Sequence, residues 1–280
     1  MKRISKISLY FISCILVVAI IASCDKCDCD CIDSGRDRNI IWKLSKDGVL
    51  TIRGKGNMPD YYYDDEINWN QPPWYDHRNS FTALIIEEGI TSIGSYAFIF
   101  CNEFTGSLNL PESLTSIGSY AFYRCEGFTG SLILPEGIKD IGERVFSFCS
   151  GFTGNLILPD DIRYIPDGVF SGCSGFTGNL TLPDSLKFIG EYAFAGCTGF
   201  SSLTFSANPI SFSSPSWAFN YWIGLTDVIN YSIEPQGIYD VFDATPINTI
   251  TLHVPEISLE KYSESEVWKD FGSIVAIENY

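Results

Sequence analysis

Histidine is almost missing from this chain, which has only His77 and His253 among 280 residues. Neither stands in a Ser, Cys or Asp pattern that would pair a nucleophile with a base, and no GxSxG, Walker loop or HExxH occurs. The usual catalytic constellations are therefore excluded. No cofactor or metal is called for, and the chain reads as non-enzymatic. Cations are scarce as well: 18 Lys and Arg face 34 Asp and Glu, for a formal net charge of −16. Phosphate binding needs clustered Lys and Arg, so nucleic acid is excluded as a partner. An acidic surface instead favours solubility and cationic partners or ions. Long apolar runs are limited to one, from Ile7 to Ile21.

That run follows Lys2, Arg3 and Lys6 and is too short to span ~30 Å of hydrocarbon comfortably. It ends in Ala22, Ser23 and Cys24, which makes residues 1–23 an export signal. The stretch "IASC" resembles the lipobox of bacterial lipoproteins, with Ile21 where Leu is commoner. The resemblance implies that Cys24 carries lipid, and more than one acyl chain gives stable anchoring. An ordinary cleaved signal with an incidental cysteine is the alternative. Loss of residues 1–23 removes three cations and no acid, taking −16 to −19. Cys27, Cys29 and Cys31 then alternate with Asp28 and Asp30. No His or second Cys pair completes a metal set with them, so residues 24–38 read as a flexible tether. Acids directly after a lipid-bearing cysteine resemble a surface-export signal. The expected location is the outer membrane or cell surface, with membrane contact only through the lipid.

The cysteines beyond the tether fall at 101, 125, 149, 173 and 197, each 24 after the last. The same interval relates Phe98, Phe122, Phe146, Phe170 and Phe194, and also Ile93, Ile117, Ile141, Ile165 and Ile189. One period reads "GSLNLPESLTSIGSYAFYRCEGFT", Gly106 to Thr129. Its alternation Leu108, Asn109, Leu110 predicts a short strand ended by Pro111. Tyr120, Ala121 and Phe122 predict a compact turn before Cys125. A lone coil cannot bury Leu108, Leu110, Leu114, Ile117, Phe122, Cys125 and Phe128. Coils stacked ~4.8 Å apart bury them all. At about 1.5–3 kcal/mol per large side chain, each added coil contributes on the order of 10 kcal/mol before chain entropy is subtracted. The expected fold class is a repeat solenoid, mainly β with short turns, right-handed and curved, with a cap at each end.

At these residues the chain resembles the BspA-type leucine-rich repeat family, whose coils carry "LxxIxxxAFxxCxxLxxLxLP"; Phe here replaces the first Leu after Cys. "DGVLTIRGKGNMP" (Asp47 to Pro59) with "PPWYDHR" (Pro72 to Arg78) resembles the family's opening segment, and "LHVPEISLEKYSESEVWKDF" (Leu252 to Phe271) its closing one. The resemblance implies a surface protein of adhesion or host interaction, with an extracellular or host protein as partner. Domain boundaries follow: 39–83 an N-terminal cap, 84–230 the solenoid, 231–280 an irregular last repeat and C-terminal cap. After Phe200 the pattern departs, since "SSLTF" is one residue short and Trp222 stands in place of a sixth cysteine.

Because Leu108 and Leu110 face inward, the residue between them faces outward, in a row with Ile85, Ile133, Ile157 and Thr181. Solvent alone would select polar side chains there, so Ile85, Asn109, Ile133, Ile157 and Thr181 read as a face meant to be covered. Ser107, Ser131, Asn155 and Asn179 flank that row with hydrogen-bonding capacity. β-propensity alone could also select Ile. The aromatic cluster Tyr61, Tyr62, Tyr63, Trp69, Trp74 and Tyr75 reads as a lid over the first coil. Its rival role is a sugar platform of Tyr62, Trp69, Trp74 and Tyr75, which makes a glycan the alternative partner. Lys261, Tyr262, Trp268 and Phe271 read as the opposite cap. The repeat cysteines read as buried free thiols. A row of acids, Glu88, Glu112, Glu136, Asp160 and Asp184, reads as a solvated turn or else a stripe for calcium or a cationic partner.

Overall fold

Each period of 24 residues returns the chain to the same place one layer further on. A computed structural model describes residues 30–62 and 70–277, and in it the coils present three sides. The first side carries the Leu-x-Leu stretches. Its parallel pairs join Val49–Gly54 to Ala83–Ile86, Leu132–Ile133 to Leu156–Ile157, and Gly178–Thr181 through Phe200–Phe205, Asp227–Asn230 and Thr251–Val254 to Ser273–Ala276. The second side carries the repeated Ile, in ladders Gly56–Asn57, Ile90–Ile93, Ser116–Ile117, Asp140–Ile141 and then Tyr164–Ile165, Phe188–Ile189, Ser211–Phe212. The two second-side ladders do not join. Gly118, Gly142 and Gly190 each donate a backbone N–H to the Ile one coil back at 2.8 Å. Pro166 holds the equivalent position and has no N–H to give to Ile141.

The third side contains the Tyr-Ala-Phe-x-x-Cys turns. There Tyr96, Phe98 and Phe100 donate to the carbonyls of Ser119, Ala121 and Tyr123, and the pattern repeats from coil to coil down to Phe219 N–H on Val241 O. Every one of these bonds runs from a coil to the next, whereas a parallel strand pair exchanges bonds in both directions. The geometry requires left-handed residues at fixed places. Tyr96, Phe100, Tyr120, Arg124, Arg144, Phe148, Tyr192, Trp217 and Tyr221 all have φ between +44° and +61°. Aromatic and Arg side chains rarely adopt that region, which costs of order 1 kcal/mol each. Gly168, Gly172 and Gly196 meet the same need without strain.

The interior is a stack of rings. Phe98, Phe122, Phe146, Phe170, Phe194, Phe219 and Phe242 form one column with centroids 5.2–5.8 Å apart. Phe81, Phe104, Phe128, Phe152, Phe176, Phe200 and Trp222 form a second. Glycines keep the layers close: a Cβ on Gly127, Gly151, Gly175 or Gly199 would lie 2.2–2.5 Å from a carbonyl oxygen of the preceding coil.

The repeat cysteines are buried and free, and their role goes beyond filling space. Cys125, Cys149, Cys173 and Cys197 point their thiols at the carbonyls of Phe98, Phe122, Phe146 and Phe170, at 3.0–3.1 Å. At the next layer the Trp222 indole N–H donates to Phe194 O at 2.7 Å, and then the Thr245 hydroxyl to Phe219 O at 2.7 Å. A donor is what recurs. Burial drives the thiols far above the ordinary cysteine range, which keeps the proton on sulfur.

Both ends are closed by aromatics. Trp74 is fully buried, stacks on Phe98 at 5.6 Å and donates to Ala97 O at 2.9 Å. Tyr61 and Trp42 meet its edges. At the other end Tyr262, Trp268 and Phe271 pack together, and the Trp268 indole donates to Gln236 O at 2.7 Å.

Four expectations change. Residues 31–37 of the supposed tether are a strand, Cys31–Asp37, antiparallel to Ile40–Ser45. Gly35 lies against the Trp42 indole, His77 bonds Asp33 at 2.9 Å, and the Tyr61 hydroxyl donates to Asp37 at 2.9 Å. The 84–230 boundaries are too narrow, because parallel pairing begins at Val49 and ends at Ala276. Beyond Ser201 the register is regular, with Leu180, Leu203, Val228, Leu252 and Ile274 aligned. The strand predicted at Leu108 to Leu110 is absent. That stretch is pinned before and after, by Thr105 N–H on Thr82 O at 2.9 Å and Glu112 N–H on Glu88 at 2.9 Å, with no ladder bond between.

Candidate functional site

The outward row of the first side runs through three separate groups of paired strands. Register pairs place Thr51 beside Ile85, Ile133 beside Ile157, and Thr181, Thr204, Ile229, His253 and Val275 in sequence. Ile85, Ile133 and Ile157 are 45%, 56% and 44% exposed. Asn109 and Thr181 are exposed between and beyond them. Where the Leu108 to Leu110 strand is missing, a depression of about 180 Å³ opens beside Asn109, Ser131 and Ile133.

The flanking polar row is partly engaged with neighbouring coils. Ser131 Oγ accepts from Asn155 N–H at 3.0 Å. Asn179 donates to Thr181 Oγ1 at 2.9 Å and accepts from the hydroxyls of Ser202 and Thr204. Ser107, Asn155 and Asn179 are exposed. The apolar part of the side therefore lies toward the N-terminus and a hydrogen-bonded polar part follows.

That polar part contains a pair that the sequence pattern does not bring together. Asp227 Oδ1 lies 2.8 Å from His253 Nε2, and Asp227 Oδ2 accepts from Thr226 Oγ1 at 2.8 Å. The His253 contact first, then the Thr226 hydroxyl, hold the Asp227 carboxyl below its ordinary pKa. Ser202, Asp227, Ile229, Tyr231, His253 and Ile277 line a depression of about 440 Å³. The alternation in "LHV" could have placed His253 outward, had the register beyond Ser201 been known.

Among the described residues the sugar platform is not assembled. Trp74 and Tyr75 are buried as core of the lid, so neither ring offers a face; Tyr62 is half exposed. Trp69 lies outside the described residues, as does Cys24. Two members of the acid row serve the turns themselves: Glu88 accepts from the N–H groups of Glu112 and Ser113, and Glu136 from that of Asp160 at 3.1 Å. Glu112 N–H foremost lowers the Glu88 pKa. Among the described residues no group of three His, Cys, Asp or Glu could hold a metal ion. Cys31 is disulfide-bonded.

The sequence model of a family described as "BspA type Leucine rich repeat region" matches residues 74–175 and 152–266, in six copies. No curated protein gives a significant match. Among solved structures, the T. pallidum Leucine Rich Repeat protein is 20% identical over 69% of this chain and 89% of its own, with a TM-score of 0.47. A leucine-rich repeat protein from Eubacterium ventriosum is 19% identical over 85% and 83%, with a TM-score of 0.35. A leucine rich cell surface protein from Faecalibacterium prausnitzii is 17% identical over 87% and 94%, with a TM-score of 0.29.

Proposed function

The chain belongs to the BspA-type leucine-rich repeat family, and from that premise we propose that it is a non-enzymatic, surface-anchored protein that binds an extracellular or host protein through its first side. The observation that carries this reading is the register pair Ile133 and Ile157, with Ile85 in the same row, all about half exposed. A side that met only water would carry polar residues at these outward positions. Asn109, Thr181, Ser107, Asn155 and Asn179 supply hydrogen bonds at its margins. Lipid on Cys24 holds the protein at the outer membrane or cell surface, and its acidic charge keeps it from nucleic acid.

The test is capture of immobilised extracellular-matrix proteins by the mature chain, compared with the double variant Ile133→Asp, Ile157→Asp. Both side chains are about half exposed, so the variant is expected to keep the fold, which a thermal melt checks. Capture falls at least tenfold if these residues are covered in the complex. Unchanged capture would sink the reading.

A further inference from the structure

We infer that the depression around Asp227 is a receptor for one cationic side chain, an arginine or lysine presented on an extended segment of the bound partner. This rests on the first side being the docking surface, and it specifies chemistry at one end of it.

Four observations converge there. Asp227 projects outward from Asp227–Asn230, and its side chain is 42% exposed. Its oxygens are fixed by His253 on one side and Thr226 on the other, at 2.8 Å each. A carboxylate has about four lone-pair directions, so two remain for a ligand. Ile229 and Ile277 line the same depression and match the aliphatic stem of a long cationic side chain. The lining contains no cation other than what His253 becomes on protonation, and the titratable groups that face the depression are Asp227, His253 and Tyr231.

The arrangement makes the receptor conditional on pH. A neutral imidazole can donate Nε2–H to Asp227 while the depression stays net negative. A protonated imidazole cancels the carboxylate charge, and the attraction for an incoming cation goes with it. A cation is therefore held while the imidazole is neutral and released once it is protonated.

The test is an NMR titration of the mature wild-type protein, labelled at isoleucine methyls, with acetyl-Leu-Arg-Leu-amide. The same peptide with citrulline in place of arginine is the neutral control. The expected result at pH 7.5 is a saturable shift of the Ile229 and Ile277 methyls, at least fivefold weaker with citrulline, and weakened at least fivefold for arginine at pH 5. Asp227→Asn should abolish it. His253→Gln, which retains a donor for Asp227 but does not titrate, should bind at both pH values. Equal binding of the two peptides, shifts confined to other methyls, or undiminished pH sensitivity in His253→Gln would overturn the proposal. The peptide comparison in wild-type protein needs no variant to fold. It is also independent of the Ile133 and Ile157 capture assay: peptide failure with capture intact removes the receptor alone, and capture failure removes the docking side.

Discussion

Cys149 offers a direct measurement of what the repeated cysteine does. Its side chain is fully buried, with sulfur 3.1 Å from Phe122 O. Cys149→Ala removes one large atom, costing about 1–1.5 kcal/mol in burial and cavity terms. It also removes a hydrogen bond worth about 0.5–1.5 kcal/mol. Phe122 O keeps the Cys125 N–H at 3.1 Å, so it is not orphaned, and the total comes to about 1.5–3 kcal/mol. Cys149→Ser loses apolar bulk but retains a donor aimed at the same carbonyl, and should cost about 1 kcal/mol. If sulfur only filled space, the order would invert, because a buried hydroxyl without a partner is worse than a methyl. Urea unfolding of the three proteins, read as a shift in midpoint at constant m-value, decides between them. A serine variant as unstable as the alanine variant, or more so, refutes the donor argument.

Cys101, Cys125, Cys149, Cys173 and Cys197 should resist a thiol reagent such as DTNB at pH 8 in the folded protein and react together once it unfolds, since burial raises each thiol pKa. Asp227 and Glu88 have lowered pKa values in the fold, so the stability they add is present above the unfolded carboxyl range and lost as pH falls through the folded values. Thermal melts of Asp227→Asn and Glu88→Gln should accordingly show a shallower decline between pH 6 and pH 3 than wild type. Pro166→Gly restores a donor for Ile141 O, so the amide created at position 166 should be protected from hydrogen exchange, while the looser unfolded chain holds net stability within about 1 kcal/mol. Cys24→Ala should release the protein from membranes or block its maturation, as fractionation and intact-mass measurement would show.

The period was legible because identical layers must repeat their contacts, and a sequence displays that repetition without any knowledge of the backbone path. The ring columns and the outward Ile row followed from it. The third side was not legible, since Tyr, Phe and Arg at left-handed positions contradict their own local preferences and are held there by bonds to the next coil. The cysteine's role was hidden for a related reason. Its replacement by Trp222 looks like an irregularity until the shared acceptor, a Phe carbonyl one layer back, is seen. Residues 31–37 read as linker because the Cys and Asp residues of that stretch complete no metal set, yet Asp33 and Asp37 are bonded by His77 and Tyr61 from far along the chain. Asp227 and His253 meet diagonally across adjacent layers, since the register partners are Asp227 with Thr251 and Ile229 with His253, so the repeat spacing alone does not pair them.

The one-way bonding of the third side gives the whole stack a sense, much as a row of magnets has a north and a south. Its first layer presents carbonyls with nothing before them, and what covers them is a set of donors: Tyr61 N–H on Ser95 O at 2.9 Å and the Trp74 indole on Ala97 O. The last layer presents the opposite need. The two lids are therefore chemically distinct parts that could not be exchanged, and lengthening the protein by gene duplication can succeed only by inserting whole turns between them. Two such stacks could be fused end to end only head to tail, with the first stripped of its closing lid and the second of its opening one.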